Sequence, residues 1–282
     1  MDSLKKNYRL LNSRLKNKKT NNVFKGKNIK MTVALLIIFM LSPILMFTQE
    51  ESQKRTYRVH EDQVKLSMVA EYEKTVKEVI SLMKKHKLQD EGWITLNTND
   101  SRYSFISPIK NMADLDKSSF VKILIEKEGK EAVYDIFDRM DKCYDIELDY
   151  ILHLDNDLTY MPEGFTQTPE GQNYRNNHIL YVSPGNRKSV KEKMKAVKAL
   201  FEEKGSKEYY RVYRSGFGTD GEYYMVAIAA KDQSDYARQS NENNELIGED
   251  GKKVLGQLFT NLLKYEKIEG WIRPDLGYAP EK

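Results

Sequence analysis

Apolar residues in the first half of the body of this chain follow the two spacings that distinguish helices from strands. Val69, Val76 and Met83 belong to a three- and four-residue repeat, which is typical of an amphipathic helix. A second helical pattern covers residues 120–140, with a break predicted at Gly129. Shorter runs predict strands at residues 57–60, 93–96, 103–107 and 146–154. The predicted order is therefore β-α-β-β-α-β.

The second half shows the same order of elements at a nearly constant distance along the chain. A helical stripe covers residues 190–201 and ends at Gly205. A longer helical pattern covers residues 232–265, with interruptions at Gly248 and Gly251. Strands are predicted at residues 178–182, 209–214, 222–229 and 270–272. Each half therefore predicts a ferredoxin-like unit, in which two helices cover one face of an antiparallel sheet.

The order of elements also resembles that of one known superfamily. From residue 57 to residue 272, the chain resembles the dimeric α+β barrel proteins, in which two ferredoxin-like units bury their free sheet faces against each other. The resemblance implies an α+β fold with two repeats packed sheet to sheet as a pseudo-dimeric barrel, and a cavity between the sheets. The chain also resembles exported proteins of Bacteroidota-type bacteria, which implies no particular function.

The N-terminal part of the chain has the pattern of an export signal. Residues 31–48 form an apolar run without charges, and lysines precede it at positions 25, 27 and 30. Lysines on this side keep the N-terminus in the cytoplasm, so the body is expected on the other side of the membrane. The run is slightly short for a bilayer core and contains Pro43, which favours a signal peptide cleaved near Thr48. The alternative is an uncleaved signal anchor.

These patterns predict both the location of the protein and its division into segments. The protein is expected in the periplasm or outside the cell, or anchored in the inner membrane by residues 31–48 with its body outside. The predicted segments are a basic cytoplasmic tail (1–30), a signal peptide or signal anchor (31–48), a spacer (49–56), a first ferredoxin-like repeat (57–155), a linker with Pro and Gly turns (156–177) and a second ferredoxin-like repeat (178–282).

The charge of the body argues against nucleic acid as a partner. Residues 51–282 contain 36 basic and 40 acidic residues, whereas the basic residues of the N-terminal part lie before the apolar run. Binding to the phosphate backbone of a nucleic acid needs a concentrated basic face, and the composition of the body does not indicate one. Contact with a membrane is expected only through the N-terminal segment, and the sequence predicts no particular oligomeric state.

Few residues suggest metal or covalent chemistry. Cys143 is the single cysteine, so a disulfide within the chain and a cysteine-based zinc site are excluded, and a buried thiol is expected. The histidines show no metal-ligand spacing, so no metal and no other cofactor is predicted. His60, His153 and His178 lie on predicted strands and are candidate ligand-binding residues. The alternative is that they are unrelated polar residues of the sheets.

Aromatic residues on the predicted strands are the other candidates for ligand binding. Tyr103, Tyr210 and Tyr223 lie on three of these strands, and Arg214 follows Tyr210 on the same strand. If Tyr210 and Arg214 face the space between the sheets, they form a polar pocket with aromatic walls for an anionic or aromatic small molecule. The alternative is that the tyrosines are cross-strand packing pairs.

Two motifs around residue 216 match catalytic or cofactor signatures only as strings of letters. Ser215-Gly216-Phe217-Gly218 joins two predicted strands, whereas the nucleophile elbow of a hydrolase joins a strand to a helix. The glycines at positions 216, 218 and 221 have the spacing of a dinucleotide site, but that motif must open a helix. Neither motif is therefore interpreted as functional.

The sequence leaves three classes of function open. The first is an exported cell-envelope protein that binds a small ligand or a partner through a barrel cavity. The second is a cofactor-independent enzyme of the oxygenase or isomerase type, which the superfamily resemblance implies. The third is a structural envelope protein. A buried, titrating histidine beside Tyr or Arg would support the enzyme.

Overall fold

The structure is a computed structural model that describes residues 55–117 and 119–281. The predicted cytoplasmic tail, the apolar run at residues 31–48 and most of the predicted spacer lie outside the described residues. Among the helices of the described part, none is both long and apolar enough to cross a membrane.

The described chain alternates strands and helices in the predicted order. The strands are β1 (Thr56–Val64), β2 (Ile94–Thr98), β3 (Arg102–Ile109), β4 (Tyr144–Leu154), β5 (Tyr174–Tyr181), β6 (Tyr210–Ser215), β7 (Tyr223–Ala230) and β8 (Lys264–Ile272). The helices are α1 (Val69–Lys85), α2 (Phe120–Glu128), α3 (Lys130–Met140), α4 (Arg187–Lys204) and α5 (Gln233–Phe259). Gly129, with φ +90°, separates α2 from α3 as predicted.

The eight strands close into one barrel in the order β1-β3-β2-β8-β5-β7-β6-β4. Strands of the first half lie side by side as β4-β1-β3-β2, and strands of the second half as β8-β5-β7-β6. Every pairing is antiparallel. Short ladders between β2 and β8 and between β4 and β6 join the two halves. The α+β class and the barrel are therefore confirmed.

Helices cover the outer faces of the barrel, because side chains alternate between the two faces of each strand. Val64 and Tyr103 on the outer face of the first half pack with apolar residues of α1, α2 and α3. Tyr210 and Val212 on the outer face of the second half pack with residues of α4 and α5. A third cluster, which includes Tyr213, lies inside the barrel. Cys143 is buried against the first group of helices, as predicted.

The end of the chain differs from its prediction. The helical pattern predicted to reach residue 265 stops at Phe259, and β8 already begins at Lys264. Charged residues occupy much of residues 264–269, so the local pattern lacks the apolar alternation of a strand. Pairing of this segment with β5 over its whole length decides its conformation instead. Similarly, β5 begins at Tyr174 rather than at His178, because β7 and β8 pair with it there.

Candidate active site

A cavity of about 200 Å³ lies between the outer face of the second-half sheet and its two helices. Leu180 from β5 and Ile228 from β7 form part of its floor. Met194 and Phe201 from α4 form part of its wall, as expected from the apolar stripe of that helix. The cavity is therefore outside the barrel, and not between the two sheets, where the sequence analysis expected a pocket.

The helix α5 has a kink, and residues on both sides of the kink line the cavity. Gly248 has φ +50° and ψ −136°, which interrupts the helical backbone and which glycine adopts more readily than other residues. Tyr236 and Asn243 precede the kink, Leu258 follows it, and all three line the cavity. The predicted interruption at Gly248 is thus confirmed.

Glu208, which lies just before β6, brings a carboxyl group into this largely apolar cavity. Its side chain is 7% exposed. Asn243 Nδ2 donates a hydrogen bond to Glu208 Oε2 at 3.0 Å, and Ser206 Oγ donates one to Asn243 Oδ1 at 2.6 Å. Within the described residues, Glu208 Oε1 has no hydrogen-bond partner. One carboxyl oxygen is therefore held by Asn243, whereas the other is buried and has the Ser240 hydroxyl nearby without a hydrogen bond to it.

Burial raises the pKa of Glu208 to about 7, because the carboxylate loses solvation, and the nearby Ser240 hydroxyl lowers it by less. A carboxyl group with this pKa is divided between its acid and base forms near neutral pH. Such a group can both accept and return a proton, which is the property of a general acid–base catalyst.

A second polar group on the cavity wall is built around His178 on β5. Its Nδ1 lies 2.7 Å from Tyr265 Oη, and its Nε2 lies 3.2 Å from Tyr236 Oη. Burial lowers the pKa of His178 to about 4, and the charge of Lys267 adds to this. The imidazole is therefore neutral near pH 7, with one nitrogen as donor and the other as acceptor. His178 thus orients the two tyrosine hydroxyls.

Two of the predicted ligand-binding residues, His178 and Tyr210, line this cavity. The condition under which Tyr210 and Arg214 would form a pocket between the sheets is not met, because neither side chain faces that space. Tyr210 packs against the helices, and Arg214, on the same face of β6, is exposed. Alternation along β6 could not show which face points inward; barrel closure puts Arg211 and Tyr213 there.

The other predicted residues lie apart from the cavity. Tyr103 donates a hydrogen bond to Glu73 on α1 at 2.8 Å, and Tyr223 contacts Tyr181 inside the barrel, with ring centroids 5.6 Å apart. His153 Nδ1 lies 3.1 Å from Thr56 Oγ1. The structure therefore does not gather the candidates into one site, and Tyr223 and Tyr181 are a cross-strand pair, as the alternative interpretation expected.

His60 belongs to a different group on the outer face of β1 and β4. His60, Glu147 and Asp149 lie close enough together to hold a metal ion, although their sequence spacing shows no motif. Asp149 is already paired with Arg58, whose Nη2 lies 2.7 Å from Oδ1. Nearby carboxylates also raise the pKa of His60, against the effect of its burial. We assign no metal to this group.

Sequence reasoning missed Glu208, Asn243 and Tyr236 as site residues. Glu208 follows Lys207 in a polar connection and carries no motif, and Asn243 lies in a polar stretch of α5. The local signal that was available is that Asn243 is a polar residue on the apolar face of a helix. Its burial became clear only when β6 and α5 were packed together.

Comparison with known proteins identifies the fold of this chain but assigns the chain to no family. No family model matches the sequence. No curated protein matches it either. Among solved structures, an anthrone oxidase-like protein matches with TM-score 0.50 and 10% identity, over 78% of this chain and 92% of that chain.

Two further solved structures resemble the chain more weakly. A putative monooxygenase from Lactobacillus acidophilus NCFM has TM-score 0.48 and 9% identity, over 80% of this chain and 96% of that chain. Chlorite dismutase from Candidatus Nitrospira defluvii has TM-score 0.46 and 10% identity, over 78% of this chain and 92% of that chain. Taken with the strand order, the match to the anthrone oxidase-like structure shows that this chain has the ferredoxin-like dimeric α+β barrel fold.

Proposed function

We propose that this protein is a cofactor-independent acid–base enzyme of the isomerase type, with Glu208 as its general base. The observation that carries the proposal is the buried Glu208 carboxyl group, which belongs to the lining of an apolar cavity and whose Oε1 has no hydrogen-bond partner among the described residues. In the reaction, Glu208 removes a proton from a carbon next to a carbonyl or aromatic ring and returns it to another carbon of the same molecule.

The polar group around His178 can stabilise the negative charge that develops on the intermediate of this reaction. Proton removal leaves a negative charge on an oxygen of the substrate, as in an enolate or phenolate. Tyr236 and Tyr265 present hydroxyl groups whose positions are set by His178. A fixed hydroxyl donor lowers the free energy of such an oxyanion.

The size of the cavity sets the class of substrate. A cavity of about 150 Å³ in another protein accommodates one benzene ring, and this cavity has about 200 Å³. Its walls are mostly aliphatic and aromatic. We therefore propose a substrate with one or two rings and a single carbonyl or hydroxyl group.

The cavity does not fit a haem group, which one class of proteins with this fold would suggest. Its volume of about 200 Å³ is below the range of about 300–1,000 Å³ for sites of drug-sized ligands. His178, the histidine that lines it, contacts tyrosine hydroxyls through both nitrogens. No catalytic step is therefore assigned to a haem.

Exchange of substrate hydrogen for solvent deuterium tests the proposal. Small ring-containing ketones, such as 2-tetralone and indanone, are incubated with the purified protein in D₂O, and deuterium incorporation is measured by mass spectrometry. We expect catalysed exchange that Glu208→Gln reduces by roughly a hundredfold or more, because the amide cannot accept the proton. Glu249→Gln, at a carboxylate that is 86% exposed, is the matched control and retains exchange.

Binding without exchange would support the other candidate, a protein that binds a small ligand without a reaction. The same cavity favours that function over a purely structural role. If none of the ring compounds binds, the assignment of the cavity as a ligand site is wrong.

Filling the cavity should weaken ligand binding while leaving the fold intact. Val226 lies on β7, lines the cavity and is partly buried. We expect Val226→Phe to weaken binding of 1-naphthol by roughly tenfold or more, because the added ring occupies the space of the ligand. Leu66→Phe, at a side chain that is 82% exposed, is the control. Equal affinity of the two variants, measured by calorimetry, would place the ligand elsewhere.

We also propose that the body is exported. The support is the apolar run at residues 31–48 and the lysines before it. Cell fractionation with N-terminal sequencing of the mature protein would distinguish a cleaved signal peptide from an anchor. We further infer that the two halves are repeats of one unit, since their elements and strand orders correspond.

A further inference from the structure

Two arginines face the inside of the barrel near one of its ends. Arg175 on β5 is 5% exposed, and Arg211 on β6 is 2% exposed. β7 separates their strands, and its inward residues opposite the arginines are Ala229 and Ala227. Small side chains on the intervening strand leave the two guanidinium groups room on the same inner surface.

Neither arginine has a carboxylate partner within the described residues. The positive charge of Arg211 acts on Arg175, and the neutral phenol groups of Tyr57 and Tyr213 lie near the two arginines. Burial lowers the pKa of Arg175 to about 10, and the positive charge of Arg211 adds to this. Buried charges in proteins are normally paired, so this end of the barrel has an uncompensated positive charge.

Backbone carbonyl groups of the connection between β4 and β5 accept most of the guanidinium hydrogen bonds. Arg175 donates to the carbonyl oxygens of Gln167, Gln172 and Tyr174 at 3.1, 2.6 and 2.9 Å. Arg211 Nε donates to the carbonyl oxygen of Thr166. These neutral acceptors solvate the arginines without balancing their charge.

A donor and an acceptor on this inner surface are left without partners in the described part of the chain. Arg211 Nη1 donates to no acceptor, and Asn177 Oδ1 accepts from no donor. Both side chains are more than nine-tenths buried. Ala227 is opposite Arg211 on one side and opposite Asn177 on the other, so the two residues lie in one row across the sheet. A small ligand between such a donor and such an acceptor would satisfy both of them.

We propose that Arg175, Arg211 and Asn177 form a site for a small oxyanion that carries a hydroxyl group of its own. The anion accepts hydrogen bonds from the two guanidinium groups and balances their charge, and its hydroxyl donates to Asn177 Oδ1. A phosphate that retains a proton and a hydroxycarboxylate share this chemistry. Sulfate and acetate have the negative charge but lack the donor.

The connection above the site provides a way in. Gly164 and Gly171, with φ +103° and +70°, flank the segment that carries the carbonyl groups at Thr166 and Gln167. Thr166 is exposed, whereas the arginines beneath it are buried. Displacement of this segment frees Nη2 of Arg175 and Nε of Arg211 at once, and the anion then replaces the carbonyl oxygens of Gln167 and Thr166.

Two matched pairs of anions test the site. The thermal unfolding temperature of the full chain is measured with phosphate against sulfate, and with glycolate against acetate, at constant ionic strength. Because a ligand that binds only the folded state raises the unfolding temperature, we expect a larger increase with the hydroxyl-bearing member of at least one pair. Which pair responds distinguishes a phosphate from a hydroxycarboxylate ligand.

Variants assign the effect to the proposed residues. Arg211→Gln should weaken binding of the responding anion by roughly tenfold to a hundredfold, because a charge-assisted hydrogen bond and a charge are lost. Arg214→Gln, on the outer face of the same strand, is the control and should bind normally. Asn177→Ala should remove the preference for the hydroxyl-bearing anion. If Arg211→Gln does not fold, Arg175→Gln replaces it.

Equal increases in the unfolding temperature within both pairs of anions would show that the exclusion of ions from the protein surface alone stabilises the protein. That result would overturn the proposal. A preference that persists unchanged in Arg211→Gln or Arg175→Gln would place the anion at another site and would likewise overturn it.

Discussion

Replacement of Glu208 by glutamine is expected to make the protein more stable at about pH 8 by about 3 kcal/mol, and to leave its stability unchanged near pH 4. The cause is the burial that raises the pKa of Glu208 to about 7.

The sign follows from the protons bound in the two states. The pKa of Glu208 is about 7 in the folded protein, against an ordinary value of 4.5. Between these values the folded state holds a proton that the unfolded state releases, so the stability of the wild-type protein falls as the pH rises through this window. Above it, the full cost of a buried carboxylate remains. Glutamine has no such cost and keeps an oxygen for the hydrogen bond from Asn243.

Urea unfolding of both proteins across this pH range measures the difference directly. His178 also titrates in the folded protein, with its pKa lowered to about 4, but it is common to both proteins and cancels in the comparison. Glu249→Gln should show no such pH-dependent gain. A constant difference between wild type and Glu208→Gln at all pH values would mean that Glu208 is not buried as described.

Replacement of Gly270 by alanine is expected to destabilise the protein by about 3 kcal/mol. Gly270 lies on β8, opposite Thr98 on β2, in the short ladder that joins the two halves of the barrel. A Cβ atom at Gly270 would lie 2.5 Å from the carbonyl oxygen of Asn97 and 3.0 Å from the Cα atom of Thr98. Both are backbone atoms, so β2 and β8 must separate to admit a methyl group.

Gly256→Ala is the matched control for this prediction. Gly256 lies on the exposed side of α5, and a Cβ atom there would meet nothing within 4 Å. Alanine at this position should stabilise the protein by up to about 1 kcal/mol, because it restricts the unfolded chain and favours the helix. Denaturant midpoints of the two variants should therefore move in opposite directions. A Gly270→Ala protein as stable as wild type would show that the barrel is not closed at this ladder.

The second junction of the barrel, between β4 and β6, also depends on glycine. A Cβ atom at Gly218, where φ is +85°, would lie 2.4 Å from the carbonyl oxygen of Asp149 on β4. Phe217 accepts a backbone hydrogen bond from Ile151 beside it. The spacing that resembles a dinucleotide motif therefore serves close packing of a β6–β7 hairpin against β4.

Local patterns predicted most helices and strands, because each half has clear apolar periodicities. The stripe on α4 and the glycines that end α4 and separate α2 from α3 are properties of neighbouring residues, so sequence alone was sufficient. β8 was only partly predicted, since its charged residues acquire strand conformation through pairing with β5. Of the residues that line the candidate site, only His178 and Tyr210 were predicted from the sequence.

The order of elements, the ferredoxin-like class and the burial of Cys143 could all be predicted from the sequence. The face of each strand that points into the barrel follows only from the packed structure, because alternation along a strand defines two faces but does not orient them. That choice places Arg211 inside and Tyr210 outside. It also brings Glu208, Asn243 and His178 from distant parts of the chain to one cavity, where burial, a property of the packed structure, changes their chemistry.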